Sequence, residues 1–303
     1  MTPFVSVVIC THNPRSHYFS RCLAALRGQT LAPDSWELIV VDNASAPGKA
    51  PQPDLSWQPR SRVVQEPKLG LTQARLRGIS EARGELLVFV DDDNVLASDY
   101  LVTAVRVAEE RPFLGSWSGQ CHPEFETSPP EWTRRYWGSL VIREFDEDSW
   151  SNLPRLADTM PCGAGLCARR NVARHYRDLH DSGKRAMLLD RVGKSLVSGG
   201  DNDLAACACD LGLGVGIVAA LGLKHLIPAE RLELDYLCRL AEGIEYSSRL
   251  LDAERGIACP PRSFIGNAAD RLRLIRARGP HRAILKAVYR GRDAAARVLA
   301  SRH

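Results

Sequence analysis

Residues 5–10 form a nearly unbroken apolar run rich in β-branched side chains, ended by Thr11-His12-Asn13-Pro14. Such a run predicts a strand buried on both faces, followed by a loop. Residues 18–27 place Phe19, Cys22, Leu23 and Leu26 at helical spacing, and Gly28 stops the pattern. Residues 38–41 read as a second buried strand ending at Asp42-Asn43. A proline-rich loop follows over 46–59, then a short third strand over 62–65. Residues 71–82 read as a helix ended by Arg83-Gly84. Residues 86–90 read as a fourth buried strand that runs into Asp91-Asp92-Asp93-Asn94, and Ser98 or Asp99 is placed to cap a helix reaching Glu110.

Strands and helices thus alternate over the first 110 residues. Strands apolar throughout need helices on both faces, so the expected fold class is α/β with an open, mostly parallel sheet. Ligands of such sheets bind at the carboxyl ends of the strands. Those ends carry Thr11-His12-Asn13, Asp42-Asn43 and Asp91-Asp92-Asp93. The later chain is less regular. It reads as a short strand over 164–168, a helix over 203–211 capped by Asp201 or Asn202, and a long amphipathic helix over 228–252.

A length of 303 residues allows one large domain or two ordinary ones, and 45% hydrophobic with 25% charged residues excludes a disordered chain. No apolar run approaches the about 20 residues a membrane-spanning helix needs. The start, Met1-Thr2-Pro3-Phe4, lacks a basic leader and reads as a cytoplasmic beginning. Nine cysteines without a C-x-x-C pair argue against a disulfide framework or a structural zinc site; Cys207 and Cys209 read as small apolar residues on a helix. Net charge is +4, but residues 271–303 hold ten Lys/Arg against Asp293 alone, a net of +9, so residues 1–270 carry −5. Leu272, Ile275, Ile284, Leu285, Val288, Val298 and Leu299 lie among these cations. A basic amphipathic segment of this kind suits peripheral contact with an anionic membrane, on the inner face of the cell membrane, or forms a solvated face. No nucleic acid is expected, because interleaved aromatics and a recognised module are absent. Gly279, Pro280 and Gly291 are expected to break the segment into short helices.

Three adjacent carboxylates after a buried strand repel one another and do nothing for folding. Their oxygens are hard ligands suited to Mn²⁺ or Mg²⁺, and such an ion beside a diphosphate stabilises it as a leaving group. Here the chain resembles family 2 glycosyltransferases of the A-type, Rossmann-like fold. The resemblance spans about residues 4–250. It rests on Val7 to Asn13, Ile39 to Ser45, Gly70 to Arg75, Gly84 to Asp93, Gly199 to Leu204 and His225 to Pro228, in that order.

The resemblance implies a catalytic domain over 1–252, with a nucleotide-sugar half over about 1–110 and an acceptor half over 111–252, and a basic helical tail over 253–303. It implies that Thr11 and Asp42 hold the nucleotide base, Arg75 the nucleotide and Asp91 the ribose, with Asp92 beside them. Asp93 binds the metal, and His225 completes the metal or diphosphate site. Gly165, in Gly163-Ala164-Gly165, lets the backbone pass under the donor sugar. Lys224 and Arg231 are weaker diphosphate contacts. Inverting transfer from a UDP-linked sugar needs one general base. Asp201 takes that position in Gly200-Asp201-Asn202-Asp203-Leu204, where the family commonly has Gly-Glu-Asp-x-Asp-Leu; Asp203 is the alternative base. The implied partners are a nucleotide-sugar and a glycan or lipid-linked acceptor, in surface polysaccharide or glycolipid synthesis. A sugar-nucleotide-binding protein without catalysis and a sugar-nucleotide pyrophosphorylase are the competing readings. The second lacks its usual Gly-rich basic loop, since residues 7–14 contain neither glycine nor lysine.

Overall fold

Four parallel strands carry the alternating half: β1 (Val5–Thr11), β2 (Trp36–Asn43), β3 (Ser61–Glu66) and β4 (Leu86–Asp91), in the spatial order β3-β2-β1-β4. The computed structural model describes residues 4–155, 157–185, 196–257 and 264–301; Cys259 lies outside them. Five further strands complete the sheet: β5 (Asn94–Leu96), β6 (Leu114–Phe125), β7 (Ser149–Ser151), β8 (Leu166–Arg169) and β9 (Gly214–Ile227). The path continues from β4 through β8, β6 and β9 to β5, with β7 also on β9. β8 runs antiparallel to β4 and β6, whereas β6 and β9 pair in parallel.

The unbroken apolar character of β1, β2 and β4 follows from two cores. Val5, Val7 and Ile9 of β1 face one core with Leu38, Val40, Val88 and Val90. There α1 (Ser16–Arg27) contributes Phe19, Cys22 and Leu26, and α3 (Tyr100–Glu110) contributes Tyr100, Leu101 and Val105. Val8, Ile39, Val41, Leu87 and Phe89 face the other. It is covered by α2 (Leu71–Glu81), α4 (Arg170–Asp181) and α5 (Gly200–Asp210). Each fully buried aliphatic side chain here contributes about 1.5–3 kcal/mol.

The strands β6 and β9 were not expected. The apolar run inside β9 is visible in the sequence, but its glycines hide the strand pattern. They are there for close approach: a Cβ on Gly119 would lie 2.1 Å from the Leu221 carbonyl oxygen, beside a register shift between Ser118 and Gln120. The expected cap of α5 is also corrected. The helix begins at Gly200, so Asp201 lies in its first turn.

At the opposite strand ends, Glu37 is buried and accepts hydrogen bonds from Ser6 at 2.6 Å, Arg62 at 2.7 Å and the Arg83 N–H at 2.7 Å. Burial pushes this carboxyl up, but the three donors outweigh it and hold it below its ordinary value. A depressed folded value means the carboxylate stabilises the fold above the unfolded titration near about 4.3, and the contribution is lost as pH falls through the folded value. Glu37→Gln is therefore expected to cost about 2–3 kcal/mol at neutral pH and less below about pH 4. Denaturant melts at both pH values check this; equal stability at neutral pH would show that the network contributes nothing.

The chain divides into two compact units. The sheet and its helices fall within Met1–Glu126, Val141–Ala186 and Gly200–Ile227; the other unit falls within Thr127–Leu140, Met187–Gly199 and Pro228–His303. The second is helical, with α6 (Leu234–Glu254), α7 (Phe264–Arg276) and α8 (Gly279–Ala300). The sequence boundary after Asp252 falls inside it, because α8 packs along α6. The expected helix over 228–252 opens with a 3₁₀ turn at Ala229–Leu232 before α6 begins. Gly279 and Pro280 do mark a break, between α7 and α8, but Gly291 does not. It is the contact point of two helices, where a Cβ would lie 2.2 Å from the Glu242 carbonyl oxygen. Leu250, Leu251 and Ala295 form the apolar centre, and Arg290 pairs with Glu242 at 2.7 Å.

Candidate active site

The parallel register sets Thr11 opposite Asp42, and Cys10 opposite Asp91, so the three polar strand ends lie at one level of the sheet. Thr11 and Asp42 are buried. The Thr11 hydroxyl donates to Asp92, and Asp42 accepts the Ser45 N–H at 3.3 Å. Asn43 has a role the sequence reading left unassigned. Its amide donates to the carbonyls of Glu66 (3.1 Å) and Lys68 (2.8 Å), and its oxygen accepts the Gly70 N–H at 2.8 Å. It thereby fixes the loop that launches α2 and so positions Arg75. The only signal in the sequence is an amide at the end of a buried strand. His12 Nδ1 donates to the Asn43 carbonyl at 2.7 Å and ties the ends of β1 and β2.

After β4 the acidic turn is organised by buried Asn94. Its oxygen accepts the Asp91 N–H at 3.2 Å, and its amide donates to Asp93 Oδ1 at 3.0 Å. Antiparallel pairing of β5 with β9 sets Asn94 opposite His225, and Asp93 Oδ2 lies 3.5 Å from His225 Nε2. Both side chains are less than a tenth exposed. Sequence reasoning placed Asp93 and His225 at one centre, and the structure brings them together. The carboxylates also act on Cys22 beneath them: burial first, then the charges of Asp92, Asp93 and Asp91, push its thiol well up.

These residues fit a hard divalent ion. A carboxylate oxygen and an imidazole nitrogen 3.5 Å apart can share one ion at bond lengths of about 2.1 Å, with remaining positions filled by phosphate oxygens and water. Two protein ligands suit Mn²⁺ or Mg²⁺ held jointly with a diphosphate. Among the described residues, a three-ligand group forms elsewhere, at His175, Cys207 and Asp210 on α4 and α5.

Arg75 and Asp201 meet at Gly163. A Cβ there would lie 2.7 Å from Asp201 Oδ2 and 2.9 Å from an Arg75 guanidinium nitrogen. The Gly163 N–H donates to Asp201 Oδ2 at 3.0 Å, which aims that carboxylate from the start of α5, where the helix dipole favours negative charge. Arg75 is 4% exposed, so it is no surface residue. Asp203, the alternative base, is instead locked to Arg185 Nε at 2.9 Å, with both side chains buried. Gly165 carries a packing constraint of its own. At φ +69° it packs on Tyr100, whose hydroxyl donates to the Gly165 carbonyl at 2.7 Å. Gly163, rather than Gly165, is the glycine pressed against Asp201 and Arg75. Its neighbour Cys162 went unnoticed in the sequence. The Cys121 thiol, 3.7 Å away, draws Cys162 down to about 7 against the effect of burial. The Cys162 N–H donates to Ser118 Oγ at 3.1 Å, which fastens this segment to β6. Lys224 pairs loosely with Glu124 at 4.0 Å and is well exposed.

The structure is similar to a mannosyltransferase of Pyrobaculum calidifontis, PcManGT, solved with GDP-Man and Mn²⁺. The TM-score is 0.57 at 19% identity, over 99% of this chain and 75% of that one. It is also similar to residues 1–349 of S. aureus TarS solved with UDP-GlcNAc. There the TM-score is 0.54 at 16% identity, over 88% of this chain and 70% of that one. These likenesses show the A-type glycosyltransferase fold. In sequence the chain is 34% identical over 118 residues to EpsH of Bacillus subtilis (strain 168), covering 37% of this chain and 33% of that protein. It is 33% identical over 94 residues to the glycosyltransferase AglE of Haloferax volcanii, covering 30% of this chain and 31% of that protein. The chain thus spans about a third of the length of these curated relatives. The model of glycosyl transferase family 2 matches residues 6–166, more than half the chain. On that match, together with the fold, the chain belongs to glycosyl transferase family 2.

Proposed function

We propose that this chain is a metal-dependent, inverting glycosyltransferase that moves a sugar from a nucleoside-diphosphate donor, UDP-linked, to an acceptor hydroxyl. The observation that carries the reading is the convergence of Asp201, Arg75 and Gly163 on the sheet whose strand ends present Asp93 beside His225. Asp42 and Thr11 border the nucleotide base, Asp91 and Asp92 the ribose, and Gly163 and Gly165 shape the backbone near the sugar. Asp93 and His225 would hold Mn²⁺ or Mg²⁺, and the ion would supply positive charge that stabilises a diphosphate as a leaving group. The buried Arg75 guanidinium contributes positive charge beside Gly163 and Asp201. Asp201 accepts the proton of the attacking hydroxyl. In-line displacement with inversion requires Asp201 to face the sugar opposite the departing diphosphate.

The reading extends, as the sequence resemblance implies, to surface polysaccharide or glycolipid synthesis with a glycan or lipid-linked acceptor. Among the described residues no helix is long and apolar enough to cross a membrane. Contact with the inner face of the membrane would then be peripheral. The test is a screen of nucleotide-sugars with the full chain and Mn²⁺, reading released nucleoside diphosphate. One donor is expected to stand well above the others, with UDP as product. Release from no donor, with or without metal, overturns the reading.

A further inference from the structure

The helical unit holds a pocket of about 620 Å³, a size suited to a small ligand. Arg135, Arg273, Arg276 and Arg278 line it, and no acidic side chain does. Arg273 shares Asp270 at 3.6 Å, and that carboxylate is already taken by Arg292 at 2.6 Å and by the Tyr289 hydroxyl at 2.9 Å. Among the described residues no carboxylate pairs with Arg135, Arg276 or Arg278. Guanidinium groups gathered without anions repel one another, and their planar forks match phosphate oxygens two at a time.

The rest of the pocket is apolar. Ile284, Leu285 and Val288 of α8 line it, with Ile284 buried. On α7, Leu272 is 46% and Ile275 73% exposed, directly beside these cations. An anion with a greasy body satisfies both features. A nucleic-acid backbone would satisfy the arginines but leave the apolar wall uncovered, and Tyr136 of the lining is not free to stack on a base. Its hydroxyl meets His281 Nδ1 at 2.6 Å and Arg135 lies over its face.

We propose that this pocket binds the phosphate head of a membrane lipid, a phosphate monoester or diphosphate, with the attached chain along Ile284, Leu285 and Val288. The proposal deepens the peripheral membrane contact suggested above and does not depend on the transfer reaction. Deleting residues 271–303 is not a clean test. It would strip Arg292 and Tyr289 from buried Asp270 and uncover the face of α6 on which Gly291 packs.

The test is co-sedimentation of the full chain with vesicles of phosphatidylcholine alone, with phosphatidic acid added, or with phosphatidylglycerol added at matched surface charge. R276Q/R278Q removes two cations from the pocket. R282Q/K286Q removes the same charge from the exposed face of α8, outside the lining. Circular dichroism confirms that both remain folded. Phosphatidic acid is expected to be preferred, and R276Q/R278Q to weaken that binding about 30-fold, the worth of two engaged arginines. R282Q/K286Q is expected to lose only a few-fold. Equal losses in the two variants, or equal binding to the two anionic lipids, overturn the pocket and leave charge attraction alone. Binding to no anionic vesicle overturns the membrane contact itself. Calorimetry with inorganic pyrophosphate separates the sources: binding of the soluble anion that depends on Arg276 and Arg278, without vesicle binding, overturns the lipid as ligand.

Discussion

Asp93→Asn is expected to abolish nucleotide-sugar turnover in a protein that remains folded. The substitution keeps the size of the side chain and a hydrogen-bonding oxygen for Asn94, but it removes the charge that faces His225. A neutral amide is a poor partner for a hard divalent ion. Asp93→Ala should be equally inactive and less stable, since the residue is buried and its two neighbours would lose a partner. Wild type in excess chelator should behave like the variants, and added Mn²⁺ should restore only wild type. Thermal melts separate loss of the site from loss of the fold. Undiminished wild-type turnover in chelator would remove the metal from the proposal, whatever the variants do.

Asp201→Asn is expected to lower transfer by about two to four orders of magnitude with donor affinity nearly unchanged, the usual scale for loss of a general base. An oxygen remains to accept the Gly163 N–H, while the hydrogen bond from the Asn202 N–H to the other carboxylate oxygen is lost. Asp203→Asn serves as the contrast. It breaks the buried pair with Arg185, which should cost about 3–5 kcal/mol of stability. The two carboxylates stand two positions apart on one helix, yet one substitution should be read in rate and the other in melting. An Asp201→Asn enzyme within tenfold of wild type would move the base elsewhere.

The alternating half was legible because each buried strand announces itself as a solid apolar run and ends in polar residues. β1, β2, β3, β4 and the helices between them fall within two residues of their expected bounds; the widest departures are α1, which begins at Ser16, and β2, which runs from Trp36 to Asn43. Their carboxyl ends follow from the fold rules of parallel sheets, so Thr11, Asp42 and Asp91 meeting at one level was foreseeable. Asp93 and His225 were named from motif order, not from any local pattern.

What tertiary structure alone decided are the pairings between distant segments. Glycines in β6 and β9 break the two-residue period that would reveal a strand, because close packing there forbids a Cβ. Asn43 looks like a loop residue until the Glu66–Gly70 turn folds against it. Asp201 and Asp203 are indistinguishable by composition. Only the arrival of Gly163 at one and Arg185 at the other separates a carboxylate held near Arg75 from one neutralised in a buried pair. Gly291 follows the same rule: a helix breaker by propensity, it is kept in α8 by the backbone of α6 lying against it. Local sequence determines which segments become strands and helices, since backbone geometry and apolar period act over a few residues. The roles of single polar residues depend on what the fold brings within about 3 Å of them, a hydrogen-bond distance that sequence spacing does not encode.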